Sequence, residues 1–422
     1  MQSTLNSDER HLAGTIADTY RRHLSAGRAT LGDIFGGHVE TSSSGAWLTT
    51  ASGSRFFNAG GYGVALAGYR HPIVTEEIRE QLEQHPVSSR VFFEPVAARA
   101  AEALAAITPA GLDRIHFACS GAEATEAALK IARLNGCRRF ISMTGGYHGK
   151  TLGALSLTAR EVFQAPFRPL LPDVSHVAYG DLDALRTELA VRTTKACVVL
   201  EPVQGEAGVI IPPDGYLAGV RALCDRYEAL LVADEIQTGL GRLGEWWGVN
   251  REHMIPDILL SGKMLGGGVM PVSAAITTTE CFKQLDRDPY LHTSTFSTSP
   301  LGMAAVCGAL RVIITEGLVE RAATIGNSIL ASIRRATADR FDSCEAEVRG
   351  RGLLIGVEFA DAAIVGDLLI ELINNGIIVN HSLNSDHVLR LTPPAIIGDS
   401  EIAFLVKGYS DAIEQVAARA TR

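Results

Sequence analysis

The chain has 422 residues, 46% of them hydrophobic and 20% charged, enough apolar material for one large or two ordinary domains with a substantial core. A formal net charge of −9, with no basic patch, argues against a surface for nucleic acid or anionic membrane. The seven cysteines are scattered and form no C-x-x-C pair, which argues against a disulfide framework or a zinc site and suits reduced core thiols in a cytoplasmic protein.

The opening stretch "MQSTLNSDERHLAG" has no apolar region of signal-peptide type, and no apolar run approaches the ~18 residues of a membrane helix. A soluble, cytoplasmic protein is expected. Residues 1–65 read as a polar helix, then small strands and turns in "TSSSGAWLTTASGSRFFNAGGYG". From about 114 to 310, short apolar runs alternate with helical stretches: "RIHFA", "RRFISM", "KACVVL", "ALLVA", "DILL" and "VSAAIT". Fully apolar strands separated by helices predict a mainly parallel sheet covered on both faces, with ligands beyond the strands' carboxyl ends. After about 315 come a helix, strand-like "LLIGVEFA" and "HVLRLTPP", and a terminal helix from Ser400. The fold class expected is α/β. Residues 1–65 form a segment packing with the small domain, 66–315 a large domain, and 316–422 a small α+β domain.

Chemistry-bearing residues cluster after the predicted strands. Ser120 and Glu123 in "CSGAEATEAALKIAR" have capping-box spacing, and Ser120, Gly121 and Ala122 would offer N–H groups to a phosphate. Gly145 to Thr151, "GGYHGKT", followed later by "LLVADE", suggests the two motifs of a nucleotide hydrolase. The count excludes this, because the phosphate loop needs glycine where Thr144 stands. Tyr147 beside His148 suits a platform for a flat ring, or ordinary packing. Glu201 and Glu206 follow in "VVLEPVQGEAGV", and Asp234, Glu235 and Gln237 in "LLVADEIQTG". Lys263 stands just past "DILL", where apolar surroundings favour its neutral amine, as a Schiff-base lysine requires. Each feature alone has a plain structural explanation. In order along one sheet edge, they match what pyridoxal phosphate requires: a phosphate cup, a ring stack, an acid for the ring nitrogen and a lysine for the aldehyde.

From "FFNAGGYGVALAGYRHP" to "VLRLTPP" the chain resembles the class III aminotransferases, of the aspartate-aminotransferase-like, fold-type I architecture. The motifs "SGAEATEAALK", "GGYHGKTLGALS", "EPVQGEAGV", "ADEIQTGLGRLG", "PDILLSGKMLGGGVMP" and "RGRGLLIGVEF" carry it, and "PFRPLLPDVSHV" and "DPYLHTSTF" point toward putrescine and diamine aminotransferases. The resemblance implies pyridoxal 5′-phosphate bonded to Lys263, with Asp234 at the ring nitrogen and Gln237 at the ring hydroxyl. It implies Tyr147 on the ring face with His148 beside it, and Glu201 within the cofactor site. Ser120, Gly121 and Ala122 would hold the phosphate, joined by Thr295 from the partner of a homodimer with shared active sites. Glu206 would pair with Arg390, which swings to grip a substrate carboxylate, and Tyr62 and Lys150 would lie on the substrate side.

There are departures from the family pattern. Thr298 and Ser299 replace Gly-Asn, Thr125 stands where asparagine is frequent, and Tyr69 where histidine is common. Lys150 replaces an arginine of the ornithine and acetylornithine enzymes and cannot make a bidentate fork, which leans away from those substrates. The expected reaction moves an amino group between a primary amine (a diamine or ω-amine, or a biosynthetic aldehyde or ketone in reverse) and a keto acid such as 2-oxoglutarate or pyruvate. An aminomutase or decarboxylase on the same fold is the alternative. A colourless binding or scaffold homologue is disfavoured by the intact Lys263, Asp234 and Gln237. No metal, nucleic-acid or membrane partner is expected.

Overall fold

After the helices Ser7–His23 and Ala26–Ile34, small polar residues form β1 (Glu40–Ser44), and aromatic residues with threonines and Leu48 form β2 (Trp47–Thr50) and β3 (Arg55–Asn58), three short antiparallel strands. The computed structural model describes residues 7–191 and 193–420. The apolar runs then give β4 (Leu112–Ala118), β5 (Arg139–Met143), β6 (Val174–Val177), β7 (Ala196–Leu200), β8 (Leu230–Asp234), β9 (Ile258–Ser261) and β10 (Ser273–Thr278). These build one seven-stranded sheet in the order β4-β10-β9-β8-β7-β5-β6. β10 runs antiparallel to both neighbours, and the other pairings are parallel. In register, Ser273 faces Ala118 and Ala274 faces Ser261, so the carboxyl ends of β4 and β9 lie at the same sheet edge. β6, within "PDVSHV", was not anticipated, being short and only partly apolar.

Helices cover both faces. The helix Gly121–Leu134 lays Ala124, Ala127, Ala128, Ile131 and Ala132 against the sheet, and small side chains let it approach closely. The helices Pro300–Thr315 and Pro72–Gln84 pack so tightly that a Cβ on Gly308 would lie 2.9 Å from Val74 Cα. The C-terminal part adds β11 (Ala346–Arg351), β12 (Leu354–Phe359), β13 (Ile377–Ile378), β14 (Asn380–Ser382) and β15 (Ser385–Leu391), with β11-β12-β15-β14 as a four-stranded sheet. β13 instead leaves that sheet and pairs in parallel with β3, Ile377 opposite Phe57. Trp47 strengthens this junction, its Nε1 donating to Glu401 Oε1 at 2.7 Å on the terminal helix Asp399–Ala420.

Among the described residues no single helix is long and apolar enough to cross a membrane. The bent pair Pro300–Thr315 and Leu318–Ala338, at 64°, buries its apolar side chains in the core. The cysteines are all free, but only Cys137, Cys197, Cys224 and Cys281 are core residues. Cys119 and Cys307 are half-buried and Cys344 is exposed, because it lies in the turn that precedes β11.

Candidate active site

Several strands of the large sheet end at one cleft of about 250 Å³. β7 leads to Glu201, β8 ends in Asp234, β9 passes through Gly262 to Lys263, and β4 leads into the helix Gly121–Leu134. The capping box read from the sequence forms: Ser120 Oγ accepts from Glu123 N at 3.3 Å, and Glu123 Oε2 accepts from Ser120 N at 3.1 Å. The Ser120 hydroxyl is thus engaged in the cap, while Gly121 and Ala122 line the cleft at the positive end of the helix dipole.

The loop after β5 carries Tyr147, His148 and Lys150. Gly149, at φ +124°, is required there, since a Cβ would lie 2.6 Å from Ala122 Cβ. Thr125 explains its departure from asparagine, its Oγ1 donating to His148 O at 2.9 Å and tying loop to helix. Thr158 Oγ1 accepts from His148 N at 2.9 Å, and Asn384 Nδ2 donates to Gly145 O at 2.8 Å. These supports went unread in the sequence, because Thr158 carries no motif and Asn384 arrives from the β14–β15 turn.

The acids are held in different ways. Asp234 Oδ2 lies 2.7 Å from His148 Nδ1, and Oδ1 accepts from Ile236 N at 3.1 Å. Burial pushes the His148 pKa down, but the hydrogen bond and charge of Asp234 outweigh it, and the net shift is upward. His148 therefore stands behind Asp234 and steadies its carboxylate, a more specific place than beside Tyr147. Glu201 Oε1 accepts from Tyr147 N at 2.9 Å and Oε2 from Gly205 N at 3.0 Å, which joins the two loops. Burial raises its pKa to about 7. Gln237 packs over Gly205, where a Cβ would lie 1.9 Å from Oε1. Its buried Nε2 has no hydrogen-bond partner among the described residues.

Lys263 opens a short 3₁₀ turn at φ +44°, a costly conformation for a non-glycine residue. Burial lowers its ammonium pKa, opposed chiefly by the charge of Glu206, so the neutral amine gains ground. Glu206 Oε1 lies 2.6 Å from Arg390 Nη1, both side chains buried, and Glu206 Oε2 accepts from Leu383 N at 3.0 Å. Burial alone would raise the Glu206 pKa; Arg390 and Lys263 outweigh it and bring it down.

The remaining predicted residues sit farther out. Tyr62 is 60% exposed at φ +57° in the turn Gly61–Gly63. Burial and then the surrounding acids, with Tyr62 last, raise the Tyr147 phenol pKa. Lys150 is exposed at the cleft rim with Nζ 3.8 Å from the Phe163 ring centroid. Thr295 is exposed and does not line the cleft. Ile236, not singled out from the sequence, lines it and underlies Gly121, where a Cβ would meet its Cδ1 at 2.9 Å. Its place between Asp234 and Gln237 was the available signal. Thr298 and Ser299 do not need glycine-like angles: neither has positive φ, and Ser299 Oγ caps the helix Pro300–Thr315 by accepting from Gly302 N at 3.3 Å.

These groups fit pyridoxal phosphate. A small-residue helix start suits a phosphate, the partnerless Gln237 Nε2 is a donor for a ring hydroxyl, and a steadied carboxylate and a destabilised ammonium complete the set. The class III aminotransferase sequence profile matches residues 36–413. The ornithine aminotransferase of Toxoplasma gondii is similar at 31% identity and a TM-score of 0.85, over 91% of this chain and 92% of that one. A transaminase from the marine bacterium Virgibacillus shares 26% identity at a TM-score of 0.85, over 91% and 94%. An (S)-enantioselective ω-transaminase from Thermomicrobium roseum shares 28% at 0.83, over 90% and 92%. The chain belongs to the class III aminotransferases, fold-type I enzymes that depend on pyridoxal phosphate.

Proposed function

We propose that this enzyme moves an amino group between a primary amine, a diamine or ω-amine, and a keto acid such as 2-oxoglutarate or pyruvate. The observation that carries this reading is the buried Glu206–Arg390 pair at 2.6 Å. Closed, the pair leaves Arg390 without an uncompensated charge toward the substrate and suits a donor without a carboxylate there. Opened, Arg390 offers a bidentate grip on a keto acid. The Leu383 N–H keeps hold of Glu206 throughout. Lys150, drawn over Phe163, supports a donor side that does not rely on an arginine fork.

When bound, the cofactor supplies an aldehyde to hold the amine and a ring to accept the electrons of the broken C–H bond. Lys263 would be the residue that holds the aldehyde, and its neutral Nζ would be the base available to take the C–H proton. Asp234, held by His148, would keep a proton on the ring nitrogen. Gln237 would bond the ring hydroxyl, Tyr147 would meet the ring face within the cleft joined by Glu201, and the helix start with Ser120, Gly121 and Ala122 would hold the phosphate. Tyr62 and Lys150 border the substrate. The enzyme works as a homodimer in which Thr295 completes the partner's phosphate cup. Arg90 Nη2, 2.9 Å from Ser297 Oγ, supports this by bringing the exposed Val91, Phe92 and Phe93 beside the Thr295 segment, apolar surface that a second copy would cover.

A panel of diamines, monoamines and amino acids, each offered with 2-oxoglutarate or pyruvate, tests the reading. Consumption of one keto acid per amine converted is expected, with amines that lack an α-carboxylate preferred. Conversion with no keto acid consumed would point to an aminomutase or decarboxylase instead.

A further inference from the structure

Arg242 lies in the "GLGRLG" loop after β8 and is fully buried, at 0% exposure. A buried guanidinium ordinarily has a carboxylate partner, because its desolvation is costly otherwise. Among the described residues Arg242 has none. Its donors go to three backbone carbonyls: Nη1 to Pro393 O at 2.7 Å and Leu353 O at 3.3 Å, and Nη2 to Gly63 O at 3.3 Å. Its Nε, also buried, has no partner. Burial, with Arg390 adding repulsion, brings its pKa down to about 9. A charge kept under such conditions calls for a reason beyond packing.

The three carbonyls supply one. Gly63 closes the turn that presents Tyr62, a non-glycine residue at φ +57°. Pro393 follows the strand that carries Arg390. Leu353 directly follows the "RGRG" segment, whose Gly352 leaves no room for a Cβ: one would lie 2.4 Å from Leu243 C and 2.6 Å from Arg242 O. Leu353 N also donates to Arg242 O at 2.9 Å, so backbone and side chain of Arg242 grip the same segment. Between Arg390 and Pro393, Thr392 Oγ1 donates to Gly60 O at 2.6 Å and Thr392 N to Ala59 O at 2.6 Å. The Tyr62 turn and the segment after Arg390 are thereby bound to each other twice, once by Thr392 and once through Arg242.

We propose that Arg242 is a positioning residue for the keto-acid half of the reaction, fixing the Tyr62 turn and the Arg390 strand in one frame. The inference rests on the transamination reading above. Arg390 must leave Glu206 and meet a carboxylate at a defined place, and its strand end and the facing turn define that place. The planar guanidinium holds donors on two separate nitrogens in fixed directions across the three carbonyls, whereas a lysine would offer its donors from one freely rotating nitrogen.

The test compares Arg242→Met, Arg242→Lys and Thr392→Val with wild type in steady-state assays that vary amine and keto acid separately, alongside thermal melting. The expected result for Arg242→Met is a keto-acid KM raised about tenfold or more, roughly the loss of one well-placed interaction, with the amine KM changed less than about threefold. Arg242→Lys should fall between it and wild type. Thr392→Val, which removes the other tie, should show the same split more weakly. Equal changes in both KM values, or none, would overturn the inference, because a merely structural role lowers melting temperature without favouring one substrate. If Arg242→Met fails to fold, the other two variants decide by the same criterion. Wild-type enzyme that consumes no keto acid would sink the transamination reading and the inference with it. Normal wild-type transamination with no split in the variants overturns the inference alone.

Discussion

Asp234 and Glu235 are adjacent, both buried, and held in opposite ways. Asp234 leans on a histidine and faces the cleft, whereas Glu235 turns into the protein. There Glu235 Oε2 accepts from Gly248 N at 3.0 Å and from the Thr238 hydroxyl, and Oε1 from Val249 N at 2.8 Å. Burial still raises its pKa to about 7. The native state then binds a proton that the unfolded chain releases near 4.5, so this group's contribution to stability falls as pH rises from 4.5 to about 7. Glu235→Gln should remove that component, flattening the melting temperature against pH in this window. The substitution should also cost about 1–3 kcal/mol, because its NH₂ would face the Gly248 or the Val249 N–H. Melting curves between pH 4.5 and 8 check both, and an unchanged slope would count against the argument. Lys263→Ala should lower turnover by at least about 10³-fold, on the scale of losing a catalytic base, and remove the visible band of cofactor bonded to the lysine. Near-normal activity in that variant would refute the assignment of Lys263.

The loops between strand and helix set the distances in the cleft. Gly149→Ala should drive the Tyr147 loop away from Ala122, both through the 2.6 Å overlap and through the positive φ. Cofactor affinity should fall about tenfold or more, followed by titrating visible absorbance into cofactor-free protein. An unchanged affinity would mean the loop does not set the ring shelf. This level was the most legible in the sequence. Strand-end residues such as Asp234 and Lys263 stand beside their own apolar runs, and periodicity and turn chemistry are local signals. The reversed direction of β10 was not legible, since a short apolar strand reads alike either way. Thr158 and Asn384 were also not legible, because their value lies in long-range contacts that leave no spacing behind.

At the scale of the whole molecule, the exposed Phe92 and Phe93, at 81% and 105%, and Phe296, at 56%, are too much apolar surface to leave in water. Twice the chain mass of 45.0 kDa, about 90 kDa, should appear in sedimentation at micromolar concentration. A 45.0 kDa species would argue against shared sites. Mixed dimers of Thr295→Ala and wild-type chains should bind the cofactor more weakly in only one of their two sites. The layered α/β plan follows from alternating strands and helices. The pairing of distant segments does not, and Arg390 is matched to Glu206 in sequence only through family resemblance.

The parallel match of β13 to β3 places Ile377 beside Phe57, with most of the chain between them. During synthesis, β3 emerges from the ribosome long before its partner exists, so its outer edge stays open until residues 377–378 follow. Such an edge is a template for pairing with another chain. Fragments that stop short of residue 377 should therefore aggregate through the N-terminal ribbon even when the large sheet is intact, and the last stretch of the chain acts as the clasp that protects the first.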